Sequence, residues 1–177
     1  MTHIMLDLET WGTRPGCAIR SVGAVIFDPR ARVLNGEEFY ANVDGESCLR
    51  AGLTLDPGTA EWWEEQSVEA RAHLKQDPLP LEEVLHRFTA FAGEGAPVYI
   101  WGHGASFDPP ILEEAYRRFF LPAPWAFWNI RDTRTAYDMA GVSLGSFPRQ
   151  GDHHNALDDA KHQALVLQAA YNILGVA

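Results

Sequence analysis

The sequence predicts an α/β protein: a mixed β-sheet with helices packed on its faces. Three observations predict it. The N-terminal part carries three apolar, β-branched runs in succession, with turn chemistry between the last two. Beyond them, apolar residues at helical spacing alternate with short strand-like runs. The chain then ends in one long amphipathic helix. At 177 residues the expectation is a single domain spanning 1–177, large enough to bury roughly two-thirds of its unfolded surface.

Ile4 to Glu9 reads as a strand with acids at alternate positions. Ser21 to Phe27 (SVGAVIF) reads as a second, ended by Asp28-Pro29. Asn35-Gly36 offers a turn before a third, Glu37 to Val43, so the opening is an antiparallel meander. Asp56-Pro57 is an N-cap followed by Pro at the first helical position, and starts a helix through Trp62, Trp63 and Gln66. Ser67 caps a further short helix. Leu81, Val84, Leu85, Phe88 and Phe91 lie at helical spacing, and Gly93 to Pro97 ends that helix. Val98 to Trp101 (VYIW) is a strand apolar on both faces. Asp108-Pro109 repeats the cap-plus-Pro signature before a helix through Phe119. Phe127 to Ile130 reads as the last strand and Thr133 to Met139 as a short helix. Gly141 to Gly151 reads as a loop. The final helix runs from Ala156 to Leu174, with its stripe at Leu157, Ala160, Ala164, Leu167, Tyr171 and Leu174.

Composition excludes some classes and leaves others. Cys17 and Cys48 are far apart and match no metal or redox spacing, so both are expected as free thiols. The N-terminus carries Asp7 where a signal peptide needs an unbroken apolar run, and no window reaches membrane-span length. A cytoplasmic protein is the expectation, with no membrane partner. The net charge of −10 argues against non-specific nucleic-acid binding through a basic face. Acids can also hold metal ions, however, and a bound ion reverses the local field. The positions of the acids therefore matter more than their number.

Asp7 and Glu9, two apart on a strand, project from one face. With Ile4, Leu6 and Leu8 around them the strand lies inside, and two adjacent buried carboxylates need something positive between them. A solvated acidic face on an edge strand is the alternative. Asp108 reads as a helix cap, yet it follows an apolar strand closely, where α/β proteins build sites. In the last helix Asn155 is the N-cap and Asp158 sits at N3, so Asp158 has a structural explanation. Asp159 heads an inward stripe with Gln163, Val166, Ala170 and Ile173 and needs a partner. His154, one turn upstream, reads either as a surface loop histidine or as a general base suited to near-neutral pH. His153 reads as a surface histidine.

These residues resemble a known family. DLETWG at Asp7 to Gly12, GASFD at Gly104 to Asp108 and HNALDDA at His154 to Ala160 look like the three motifs of the DnaQ-like DEDDh 3′–5′ exonucleases, in order and across nearly the whole chain. The segments between them are similar to a branch that includes phage exonuclease A and a mycobacterial exoribonuclease. The resemblance implies a ribonuclease H-like fold: a five-stranded mixed sheet, second strand antiparallel, helices on both faces. It implies two divalent ions, Mg²⁺ or Mn²⁺, held by Asp7, Glu9, Asp108 and Asp159, with His154 as base. It implies a single-stranded nucleic acid with a free 3′ end as substrate, RNA ahead of DNA, released as nucleoside 5′-monophosphates, and a homodimer. Thr10, Trp11, Gly12, Trp63 and Phe107 are candidate substrate contacts, the aromatics by stacking, with Trp62 and Trp63 as helix core residues the alternative. Arg131, Arg134 and Arg149 could touch phosphates or be solvated. His103 and Pro109 depart from the branch, which usually carries Asn at His103 and commonly at Pro109. Two rivals stay open: a two-metal phosphohydrolase of nucleotides or small phosphoesters, and an inactive nucleic-acid-binding module.

Overall fold

A computed structural model of the chain describes residues 1–67, 74, 76–93, 95 and 97–176. Strands β1 (Thr2–Thr10), β2 (Ile19–Phe27) and β3 (Glu38–Asn42) come first. Helices α1 (Gly45–Arg50), α2 (Pro57–Glu64) and α3 (Leu81–Ala92) follow. Then come β4 (Val98–Gly102), α4 (Asp108–Arg118), β5 (Ile130–Asp132), α5 (Thr133–Ala140) and α6 (Ala156–Leu174). The sheet order is β3-β2-β1-β4-β5. β2 runs antiparallel to β1 and β3, and β4 runs parallel to β1 and β5. This is the five-stranded mixed sheet the resemblance implies.

The period of two along β1 sorts its side chains to opposite faces. Ile4, Leu6 and Leu8 join the core built with Leu81, Val84, Leu85 and Phe88 of α3 and Ile111, Leu112 and Ala115 of α4. Met5 joins the opposite core, with Tyr137 of α5 and Ala160, Ala164, Val166, Leu167 and Ala170 of α6. Asp7 and Glu9 continue the Met5 row, so the acids lie on the face that α6 covers.

One glycine sets how closely α6 approaches. Asp7 pairs with Gly23 across β1 and β2. A Cβ on Gly23 would sit 2.1 Å from the carbonyl carbon of Ala156 and 2.2 Å from the amide nitrogen of Leu157. The first turn of α6 therefore rests on bare backbone beside Asp7. Asn155 caps that turn, its side chain accepting from the amides of Leu157 and Asp158.

Several elements differ from expectation. Phe127–Asn129 is a 3-10 turn, and the last strand begins at Ile130, where it was expected to end. An Arg131 N–H donates to the carbonyls of both Trp128 and Ile130 across this junction. α1 was not expected. Asp44 caps it, accepting from the amides of Glu46 and Ser47. The helix expected after Ser67 lies outside the described residues. Ile173, expected to face inward with Gln163, Val166 and Ala170, is 56% exposed, while those three are buried. Cys17 and Cys48 are free and buried. Among the described residues no helix is long and apolar enough to cross a membrane.

Gly23→Ala should lower stability by about 2 kcal/mol or more, because its Cβ meets backbone that cannot swing away. Gly45→Ala, whose added Cβ meets nothing within 4 Å, should stay within about 0.5 kcal/mol of the parent. Thermal or denaturant unfolding measures both. A Gly23→Ala chain as stable as its parent would show that α6 can shift freely, against the close contact described.

Candidate active site

β1 and the first turn of α6 bring Asp7, Glu9 and Asp159 together. One ligand oxygen from each lies within 4.8 Å of the others. Asp108, at the start of α4, stands beside them across Leu8. Its Oδ1 accepts from the Leu8 amide at 3.0 Å, and it is buried. It does not cap α4 as expected: Phe107 holds the cap position, with no side-chain bond to the helix. Asp108 instead ties α4 to β1.

Each acid has a few neighbours. The Gln163 amide donates to Asp7 at 2.7 Å. Arg149 donates to Asp159 Oδ1 at 2.5 Å and to the Asp152 carbonyl. The backbone N–H of His154 donates to Asp159 Oδ2 at 3.1 Å. Asp158 points elsewhere, accepting from the Asp152 amide. The two neighbouring aspartates are thus separated as the helix pattern required, although Asp158 holds the preceding loop rather than closing a reciprocal capping box.

Burial and mutual repulsion govern the charges. Burial holds the Asp7 carboxyl well above the ordinary carboxylate range, and the charges of Asp108, Glu9 and Asp159 add to it. Burial, then Asp159, pushes Glu9 up to about 8, against the pull of Arg20. Burial pushes Asp108 up to about 7, against the Leu8 amide that favours its charged form. The donors are all carboxylate oxygens, crowded and short of positive charge. This set fits hard divalent cations. Asp7, Glu9 and Asp159 could share one, with Asp108 completing the group from its side.

A cavity of about 580 Å³ opens over the acids. Of the expected contacts, Thr10, Gly12, Trp63, Phe107 and His154 line it. Trp63 is buried, and its indole N–H donates to the Thr10 carbonyl at 2.9 Å. The His154 ring meets the rings of Trp62 and Trp63 edge to face, at 5.1 and 5.9 Å. Trp11 does not line this cavity. It turns to a neighbouring cavity, where the Arg20 guanidinium lies 4.0 Å from its ring and 4.1 Å from that of Trp63. Trp11 therefore braces Arg20 behind the acids. Arg149 is neither solvated nor free, since it is paired inside the cluster. Arg131 stacks 4.2 Å over Tyr99. Sequence reasoning did not place Trp62, His103 and Leu144 in the cavity wall. Gln163 carried a signal, since it follows Asp159 by one turn on the inward stripe.

Residues 2–171 match the model of the 3′–5′ exoribonuclease Rv2179c-like domain. The exodeoxyribonuclease of Enterobacteria phage T4 is 27% identical over 166 residues, which cover 76% of this chain and 70% of that one. The nuclease domain of 3′hExo, a DEDDh family member solved bound to rAMP, superposes with a TM-score of 0.63. The match is 13% identical and covers 99% of this chain and 92% of that one. At that identity the likeness is one of fold.

The charge crowding predicts how stability varies with pH. Asp7, Glu9 and Asp108 hold protons more tightly in the folded chain than in the unfolded one. Their contribution is therefore present at low pH and lost as pH rises through their folded values, up to about 8 for Glu9. His3, pushed down to about 4 mainly by burial, opposes this only below the ordinary imidazole range. In chelator, the melting temperature should fall between about pH 7 and about pH 9. Mg²⁺ or Mn²⁺ should raise it most at the upper end, and Glu9→Gln should flatten the fall. A melting temperature that climbs over this range would refute the crowding.

Proposed function

The chain belongs to the 3′–5′ exoribonuclease Rv2179c-like domain family, and on that premise we propose that it removes nucleotides singly from the 3′ end of single-stranded nucleic acid, RNA ahead of DNA. The observation that carries this reading is the meeting of Asp7, Glu9 and Asp159, from opposite ends of the chain, beneath a cavity that also holds His154. The RNA preference follows the family's description, against the phage relative's name.

Asp7, Glu9, Asp108 and Asp159 hold two divalent ions, Mg²⁺ or Mn²⁺, in this reading. When bound, the ions supply positive charge to the phosphate at the point of displacement. The protein's own groups supply the rest. His154 accepts the proton of the attacking water. Burial lowers its imidazole, with Asp159 pulling the other way, so the ring is neutral and ready to accept near neutral pH. The rings of Trp62 and Trp63, standing nearly perpendicular to the imidazole, limit its rotation, and its backbone bond to Asp159 sets its height above the acids. The half-exposed Trp62 offers a face to the terminal base, and Thr10 and Gly12 offer polar groups to the terminal ribose.

With 3′- and 5′-labelled single-stranded RNA and DNA, the expected result is stepwise shortening from the 3′ end, abolished by EDTA. Internal cuts, or no cleavage at all, would sink the reading. Asp7→Ala and Asp159→Ala should be inactive, while Asp158→Ala loses no more than about tenfold. Equal losses in all three would show that the division between the neighbouring aspartates is wrong. His154→Ala should fold and bind Mn²⁺ by calorimetry, yet turn over about 10²- to 10⁴-fold more slowly. Full turnover would remove it from the role of base.

A further inference from the structure

A second cavity, of about 540 Å³, adjoins the first. The two share Asp7, Leu8, His103, Phe107 and Gln163, so they meet over the acids. Their contents differ. Trp62, Trp63 and His154 line only the first. Asp108, Ser106 and Arg134 line only the second.

This division has a direction if the reaction is the one proposed above, on which the inference rests. In an in-line displacement at phosphorus, the attacking water and the leaving oxygen lie on opposite sides. His154, the base for that water, is on the side of the first cavity. The leaving 3′-oxygen, and the nucleotide that carries it, must lie on the other side. We propose that the second cavity is the subsite for the nucleotide upstream of the scissile bond. In it Arg134 binds the phosphate on that nucleotide's 5′ side, and His103 accepts a hydrogen bond from its ribose 2′-hydroxyl.

Arg134 is built for this position. It is the second residue of α5, and its amide is held by Asp132 at 2.8 Å. Its Nε donates to the His103 carbonyl at 3.1 Å. Gly104, with φ of +114°, carries no Cβ beside that Nε. Among the described residues its two terminal nitrogens make no hydrogen bond, and the side chain is exposed. Its charge is felt at both Asp108 and His103. A guanidinium fork anchored at Nε and free at the tip suits a phosphate.

The tautomer of His103 follows from its partner. The Thr133 hydroxyl donates to the buried Gly102 carbonyl at 3.2 Å, so its oxygen can only accept from His103 Nδ1, 2.9 Å away. With the proton on Nδ1, Nε2 carries a lone pair. Tyr137 packs 5.7 Å from the ring. Such a nitrogen accepts from a hydroxyl and cannot serve a phosphate. The ribose 2′-hydroxyl is the donor that separates RNA from DNA.

Three dinucleotides test the assignment: ApA, its 5′-phosphorylated form pApA, and dApA, which lacks the 2′-hydroxyl on the upstream sugar only. Each variant is read as a ratio of kcat/KM between two substrates, so a general loss of activity cancels. Arg134→Gln should lower the ratio of pApA to ApA about tenfold, leaving ApA to dApA as in the parent. His103→Leu should lower the ratio of ApA to dApA about fivefold, and His103→Gln, which restores an acceptor, should recover part of it. Either ratio unchanged in its own variant overturns the subsite. A parent chain that leaves both the dinucleotides and the labelled single strands uncut overturns the nuclease reading instead, and one that cuts the strands but none of the three dinucleotides overturns the subsite.

Discussion

The contact between Gly23 and the first turn of α6 is the constraint on which the rest of the site depends. Sheets and helices ordinarily keep side chains between them. Here the helix backbone at Ala156 and Leu157 lies directly against a strand. Because Asp7 pairs with Gly23 in the next strand, the approach sets how far Asp159 stands from Asp7 and Glu9. A larger residue would lift the helix end and spread the carboxylates. The order of causes runs from one absent side chain to the spacing of three acids.

That spacing is electrostatically unfavourable for the chain alone. Desolvation and like charge both raise Asp7, Glu9 and Asp108. The fold offsets this only in part. Gln163 gives Asp7 one donor, Leu8 gives Asp108 another, and Arg149 pairs with Asp159. Arg20 acts on Glu9 from behind, and its own burial is eased by the faces of Trp11 and Trp63. Trp63 also donates to the Thr10 carbonyl and touches His154. One indole therefore joins the buried cation, the end of β1 and the histidine. A core that tolerates so much unrelieved charge is organised around a charge it receives.

Much of this was legible in the sequence because it rests on local periodicity. The strand period put Asp7 and Glu9 on one face, and the helix period separated Asp159 from Asp158. The cap-plus-Pro pair announced α2 correctly, with Asp56 accepting from the Thr59 amide. The same signature misled at Asp108, whose partner Leu8 is 100 residues away. No local pattern reports a bond between the start of a helix and a distant strand. The direction of Trp11 was hidden for a related reason. Its neighbours in sequence belong to the site, but the register shift between Glu9 and Thr10 ends the regular alternation, and past it the side chain faces Arg20. Arg149 stands in a loop without period, so its pairing with Asp159 carried no signal.

The loop before α6 shows how the helix shapes what precedes it. His154 has φ of +61°, a left-handed conformation that costs on the order of 1 kcal/mol in a residue with a side chain. Two adjacent carboxylates hold it there. Asp158 takes the Asp152 amide and Asp159 takes the His154 amide, while Arg149 bridges from Asp159 back to the Asp152 carbonyl. Both acids sit in the first turn of α6, where the helix dipole favours negative charge. The helix end thus stabilises the carboxylates, the carboxylates bend the loop, and the bend turns His154 toward Trp62 and Trp63 over the cavity. The imidazole's placement follows from the same turn that Gly23 seats against the sheet, so the acids and the histidine cannot be positioned independently of one another.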